Sequence, residues 1–308
     1  MFVVLLFIFG IFYSAFYLLP PKNFGQDRII EIEKDIGSFE IAKFLKQENI
    51  VKSSTFLHIA IILNGGERRV RAGDYLFESP INVFRVAKRI TEGEFGFTPR
   101  KVTLPEGLTV NEMSSILESK LINFSTTTFV NLGREKEGYL FPDTYLLRPT
   151  ARAEEVISLL ESTFEKRIAE MSSEIVSFNK PLKDIVNMAA ILEEEAKDEK
   201  SRRIISGILW KRIRLGMPLQ VDAVFRYING KTSEELTQED LKIDSPYNTY
   251  LYRGLPPAPI TNPGSESLRA AVTPIDTPYL YFLTGKDNEM YYAKTLDEHV
   301  KNKEKYLK

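Results

Sequence analysis

Apolar and polar positions change period several times along the chain, and each change predicts an element. Arg28 to Glu33 alternates with a period of two and predicts a strand. Phe39 to Gln47 and Thr55 to Leu63 repeat at helical spacing, Gly73 to Phe77 alternates again, and Val83 to Thr91 returns to a helix. From Lys101 the order recurs: a strand to Leu104, helices over Val110 to Lys120 and Thr126 to Leu132, a strand-like run from Tyr139 to Leu147, and a helix from Glu154. With an offset of 72, Glu40 falls on Glu112, Leu45 on Leu117, Ile50 on Ile122, Ser53 on Ser125 and Thr55 on Thr127, which fits either an internal duplication or two amphipathic helices that share one pattern. Thr109 and Glu112 have capping-box spacing, which starts a helix at Val110.

A third region opens near Pro181 with the apolar run Ile185 to Leu192, which ends in Glu193-Glu194-Glu195. Ser201 to Leu215 predicts the next helix, with Ile204, Ile205, Ile208, Leu209 and Ile213 on one face, and Gly216 and Pro218 stop it. Lys211, Arg212 and Arg214 fall in its last turn, where the negative end of the helix dipole favours cations. Ser245 to Gly264 carries too many prolines for a helix or central strand, and its tyrosines and low charge suit an ordered wall. Tyr279 to Leu283 and Met290 to Ala293 form a hairpin around Gly285 to Asn288, and Thr295 to Glu298 caps a terminal helix.

Phe2 to Leu19 holds no charged residue, is long enough to cross a bilayer core, and ends at Pro20-Pro21. No basic segment precedes it and no small-residue cleavage site follows, so an uncleaved anchor is expected rather than a signal peptide. Lys22 and Arg28 follow the span, and by themselves they would put the body of the protein in the cytoplasm.

Composition narrows the chemistry. The 308 residues are 43% hydrophobic and 27% charged with a net charge of −1, so nothing points to nucleic acid. Without cysteine and with two histidines, His58 and His299, disulfides are excluded and neither a metal site nor a cofactor is expected. Carboxylates, amides, hydroxyls and aromatic rings remain. An acid held against an apolar face keeps its proton at neutral pH, as a general acid requires. At 100° per residue Glu194 points away from the apolar stripe while Glu193 and Glu195 fall on its two shoulders, so periodicity leaves two candidates. The plainer alternative is a solvated helix end with pairs such as Glu193 to Lys197.

Several strings together resemble one family, the YceG-like (MltG) endolytic murein transglycosylases. They are Glu137-Gly-Tyr-Leu-Phe-Pro-Asp-Thr-Tyr145, Ala190-Ile-Leu-Glu-Glu-Glu195, Arg214-Leu-Gly-Met-Pro-Leu-Gln-Val-Asp222 and Ser245-Pro-Tyr-Asn-Thr-Tyr250. Gly254-Leu-Pro-Pro257, Asn262-Pro-Gly264, Tyr279-Leu-Tyr-Phe282 and Lys294-Thr-Leu-Asp-Glu-His299 complete the set. The resemblance implies an α+β chain: a transmembrane anchor over 1–20, an α/β module over 21–97 as a diverged LysM-like repeat, a LysM-like βααβ module over 98–165, and a mixed α/β catalytic domain over 166–308. It also implies a single-pass protein of the inner (cell) membrane, anchored through residues 2–19 with its catalytic domain outside the cytoplasm, which overrides the charge-based orientation. The substrate would be peptidoglycan glycan strands, and partners would come from the cell-wall synthesis machinery.

The first carboxylate of the family's Glu-x-Glu motif resembles the catalytic acid of other lytic transglycosylases, and here it maps to Glu193. Glu195 would orient it or tune its pKa, and Gln220, Asp222, Tyr247, Asn248 and Asn262 would line the glycan groove. A Thr that follows the motif in the family is Ala196 here, so any role for that hydroxyl is lost. The implied reaction protonates the oxygen between MurNAc and GlcNAc and closes the MurNAc C6 hydroxyl onto C1, giving a 1,6-anhydro end without water. Two alternatives stay open: a muramidase in which Asp222 or Glu195 activates water, and a non-catalytic, membrane-tethered glycan-binding protein.

Overall fold

The computed structural model describes residues 16–307, and the chain divides at Pro99 into two compact units. The segment expected to cross a membrane, residues 2–19, lies outside the described residues except for its last four. Among the described residues no helix is long and apolar enough to cross one.

The first unit is a βααβ module closed by a third helix. β1 (Ile29–Ile32) and β2 (Gly73–Leu76) pair antiparallel with Ile30 opposite Tyr75. Alternation turns Ile30 and Ile32 into the core. Between the strands lie α1 (Ser38–Gln47) and α2 (Ser54–Leu63), and α3 (Val83–Glu92) follows β2. Ser53 caps α2 by accepting the Phe56 N–H, and Asn82 caps α3 by accepting the Arg85 N–H. Leu45, Leu57, Ile61, Tyr75, Phe77 and Ile90 form the centre of the core.

The second unit opens with the same plan: β3 (Arg100–Thr103), α4 (Val110–Lys120), α5 (Thr126–Gly133) and β4 (Thr144–Leu147). β3 and β4 pair antiparallel with Val102 opposite Tyr145. Ser125 caps α5 as Ser53 caps α2, and the two cap residues differ in number by 72, the offset of the five sequence identities. Both halves of the Thr109–Glu112 capping box are formed. The expected strand over Tyr139 to Leu147 begins only at Thr144. The N–H groups of Gly138 and Leu140 donate to the Asn262 side chain, so this stretch is held as irregular backbone.

The rest of the second unit is mostly helical: α6 (Ala153–Glu170), α7 (Ser172–Phe178), α8 (Leu182–Glu195), α9 (Glu199–Arg214), α10 (Val224–Asn229) and α11 (Ser265–Val272). The hairpin β5 (Tyr281–Thr284) and β6 (Met290–Ala293) and the terminal helix α12 (Leu296–Tyr306) complete a mixed α+β fold. α7, α10 and α11 were not evident from periodicity, being seven, six and eight residues long. α8 is buried on every side over Ile185 to Leu192, and it packs with α11, whose Ala270 and Ala271 are also buried. The Trp210 indole of α9 donates to the Ala271 carbonyl at 2.9 Å and fixes α11 from behind.

Candidate active site

α8 carries the three consecutive carboxylates on its last turn before Ala196 turns to extended backbone, and the helical period separates their surroundings. Glu193 lies in a closed polar cluster. Its Oε1 accepts from Arg202 Nη2 at 2.9 Å and its Oε2 accepts from the Gly264 N–H at 2.8 Å. The Glu193 and Arg202 side chains are only 5% and 7% exposed. Arg202 also donates to the Ala196 carbonyl and to Glu266. The neighbouring Glu106 carboxyl is held above the usual carboxylate range by burial and then by the charge of Glu193. The partner of Glu193 is therefore a buried arginine nine residues on, and not Lys197.

Glu194, expected to point into solvent, is 18% exposed and accepts from Arg226 Nη1 at 3.1 Å. Arg226 also donates to Glu112 of α4 at 2.5 Å. The periodicity of α8 could not reveal this, because the covering groups come from other elements. Burial raises the Glu194 carboxyl, and Arg226 opposes the rise.

Glu195 faces a cavity of about 860 Å³, whose lining includes Arg212, Gln220, Asp222, Tyr250 and Tyr281. Its carboxyl is pushed up to about 8, first by burial and then by the negative charge of Asp222, against a bond from the Ala223 N–H. Burial and the Asp222 charge thus favour the protonated form of Glu195, which lines this cavity. Tyr250 donates its hydroxyl to Asp222 Oδ1 at 2.5 Å, and burial together with that bond pushes the phenol up. Arg212 is buried and donates to the carbonyls of Leu219 at 2.6 Å and Leu280 at 2.7 Å, with its guanidinium 5.0 Å from the centre of the Tyr281 ring. Gln220 adopts a φ of 50° and its N–H donates to the Thr249 carbonyl, which anchors this bend beside the cavity. Among the described residues no group of three or more His, Cys, Asp or Glu side chains is placed to hold a metal ion.

Glu195, Gln220 and Asp222 are therefore brought together, and the other site residues expected from the sequence lie elsewhere. Tyr247 packs on Tyr227 with ring centres 4.8 Å apart and is not among the cavity-lining residues. Asn248 is fully buried: its amide donates to the carbonyls of Leu241 and Ile243 and its oxygen accepts the Tyr250 N–H. It shapes the loop that presents Tyr250. Asn262 is fully buried as well, accepting from the Gly138 and Leu140 N–H groups and donating to the Leu108 carbonyl and Glu137. In these positions the Asn248 and Asn262 amides are bonded within the chain, mostly to its backbone.

Glu137, Tyr250 and Arg212 were not singled out individually by sequence reasoning. Each nevertheless sits in or beside a string that carried the resemblance or in the basic last turn of α9. Glu137 is buried, accepts from the Val110 N–H at 3.1 Å, and has its carboxyl pushed up to about 8 by burial.

The sequence profile of the YceG-like family matches residues 30–305. The chain belongs to that family. This YceG-like chain is 30% identical to a Bacillus subtilis (strain 168) protein named endolytic murein transglycosylase, over 98% of its own length and 91% of the relative's. It is 24% identical to a protein of the same name from Streptococcus pneumoniae serotype 2 (strain D39 / NCTC 7466), covering 96% of this chain and 61% of that one. The crystal structure of a yceG-like protein from Listeria monocytogenes superposes with a TM-score of 0.60 at 26% identity, covering 89% of this chain and 98% of the other.

Proposed function

We propose that this YceG-like protein is a membrane-anchored endolytic peptidoglycan lytic transglycosylase that cleaves the MurNAc–GlcNAc β-1,4 bond within glycan strands and leaves 1,6-anhydroMurNAc ends. Its relatives carry the name endolytic murein transglycosylase, and its site offers the one group this chemistry needs. The observation that carries the reading is the Glu195 carboxyl, its pKa raised by burial and by Asp222, in a cavity it shares with Asp222 and Tyr250.

Glu195 is the acid that the geometry favours, in place of Glu193. It gives its proton to the glycosidic oxygen, the C1–O bond breaks, and GlcNAc leaves with a restored 4-hydroxyl. The Asp222 carboxylate stabilises the positive charge that develops at C1. Glu195, now a carboxylate, takes the proton of the MurNAc C6 hydroxyl as that oxygen bonds to C1, and the acid is regenerated. Glu193, fixed between Arg202 and Gly264, holds the last turn of α8 in register.

The same reading makes residues 2–19 a single-span anchor in the cell membrane with the catalytic domain outside the cytoplasm. The βααβ modules over 21–97 and 98–165 are LysM-like supports, and 166–308 is the catalytic domain. Cell-wall synthesis proteins are the partners this placement implies. A muramidase is the second reading, because two carboxyl groups, Glu195 and Asp222, share the cavity as a hydrolase would require.

Mass analysis of digested glycan strands tests the proposal. Anhydro ends are expected, and reducing ends would replace it with the muramidase. Glu195→Gln should lower the rate by about 10²–10⁴ while strand binding persists. Glu193→Gln should fold less stably but cleave within about tenfold of the parent, since proton transfer of that size is not its role. The opposite ranking would return the acid to Glu193.

A further inference from the structure

Helix α2 is apolar on more than its buried side. Leu57, Ala60 and Ile61 face the core with no exposure, yet Ile59, Ile62 and Leu63 are 46%, 52% and 73% exposed. An exposed apolar stripe on a ten-residue helix marks a candidate contact surface. Four further observations point to the phase it faces. At 100° per residue the half-buried Phe56, which packs against the core of the module, and the exposed Ile59 and Leu63 fall within about 60° of one another, so they make one stripe about 10 Å long. Phe56 stacks on Tyr17 with ring centres 6.2 Å apart. Lys52 donates to the Phe16 carbonyl at 2.9 Å, with its ammonium 3.7 Å from the centre of the Phe16 ring. The stripe therefore begins against the last residues of the uncharged segment 2–19. At its other end, residues 67–71 read Glu-Arg-Arg-Val-Arg, a net +2 from three arginines and one glutamate, and Arg68, Arg69 and Arg71 are all exposed.

We infer that α2 lies on the bilayer surface beside the anchor, its Phe56–Ile59–Leu63 stripe at the boundary of headgroups and acyl chains and Arg68, Arg69 and Arg71 on anionic lipid headgroups. The inference rests on residues 2–19 being a membrane anchor and goes beyond it, because a single span leaves the following domain free to tumble. An apolar stripe that starts where the span ends, followed by cations, is the pattern of an interfacial helix. Lys52 at the junction has a long apolar stem and a charged head, which suits the same boundary. The docked first module would fix its own orientation with respect to the membrane.

The chain has no cysteine, so one introduced thiol can be labelled alone. The full chain is reconstituted into vesicles of phosphatidylglycerol and phosphatidylcholine with an environment-sensitive fluorophore on Leu63→Cys. Val176→Cys, at a position 76% exposed in the second unit, serves as the control. Lipids brominated near the headgroup should quench the Leu63→Cys label at least threefold more than the control. Replacing Arg68, Arg69 and Arg71 by Gln should lower that quenching in anionic vesicles to the level seen in phosphatidylcholine alone. Flotation with the vesicles but equal quenching at the two sites would overturn the inference while leaving the anchor intact, and would make a protein the occupant of the stripe. Failure to float with the vesicles would overturn both.

Discussion

The Asn262 amide donates to the Glu137 carboxyl at 2.7 Å, joining residues 125 positions apart. The same side chain holds the Gly138 and Leu140 N–H groups and the Leu108 carbonyl, so one buried amide secures the irregular backbone between α5 and β4 to the loop before α11. Buried groups stripped of a partner each cost about 1–3 kcal/mol. Asn262→Ala should therefore lower stability by about 3 kcal/mol or more in urea unfolding. Asn262→Asp should also be destabilising, because a carboxylate cannot donate to the Leu108 carbonyl. A loss below about 1 kcal/mol would show that these bonds do not hold the two segments together.

Glu193 and Arg202 form a buried pair whose value shows only when one partner is removed. Arg202→Leu leaves Glu193 enclosed with an uncompensated charge and should cost about 3–5 kcal/mol. Arg202→Leu combined with Glu193→Leu should recover a large part of that loss, and a thermodynamic cycle of the four proteins measures the coupling. Strict additivity would mean that the pair does not couple.

The pH dependence of cleavage follows from the Glu195 acid. The proposed reaction requires its proton, so the rate should fall as pH rises through about 8, to which burial pushes the carboxyl. Asp222 contributes to that elevation through its negative charge. Asp222→Asn should therefore move the alkaline limb to lower pH, apart from any loss of maximal rate. An unmoved limb would separate Asp222 from the acid.

Stability should depend on pH with the opposite sign to that of a salt-bridged carboxylate. Glu137 and Glu195 are both pushed up to about 8, so between about 4.5 and 8 the folded chain binds protons that the unfolded chain releases. Their contribution is complete below about 4.5 and is lost as pH rises to about 8. Glu137→Gln should flatten the fall in melting temperature across that interval, whereas a melting temperature that rose from pH 5 to 8 and did so equally in parent and variant would contradict the assignment.

Much of this architecture was legible in the sequence because its signals are local. Ser53 and Ser125 cap equivalent helices, Thr109 and Glu112 form their box, and the strands at Ile29 and Arg100 fall where alternation put them. What periodicity could not decide was which shoulder of α8 faces the cavity, since that depends on Arg202, Gly264 and Asp222 from distant segments. The burial of Asn248 and Asn262 was illegible for a related reason. An amide in a proline-rich loop has the same chemistry whether it serves a sugar or the loop's own backbone, and only burial tells the two uses apart. Glu194 likewise changed surroundings once Arg226 and Glu112 were in place.

Glu195 is the final residue of α8, and the peptide carbonyls that end a helix project partial negative charge along its axis. That field opposes an anion at the tip whatever the neighbouring side chains are. Transplanting the cavity residues onto another scaffold would therefore leave a weaker proton reservoir unless a helix also terminated at the acid. Lengthening α8 by one turn would erode the same reservoir from within.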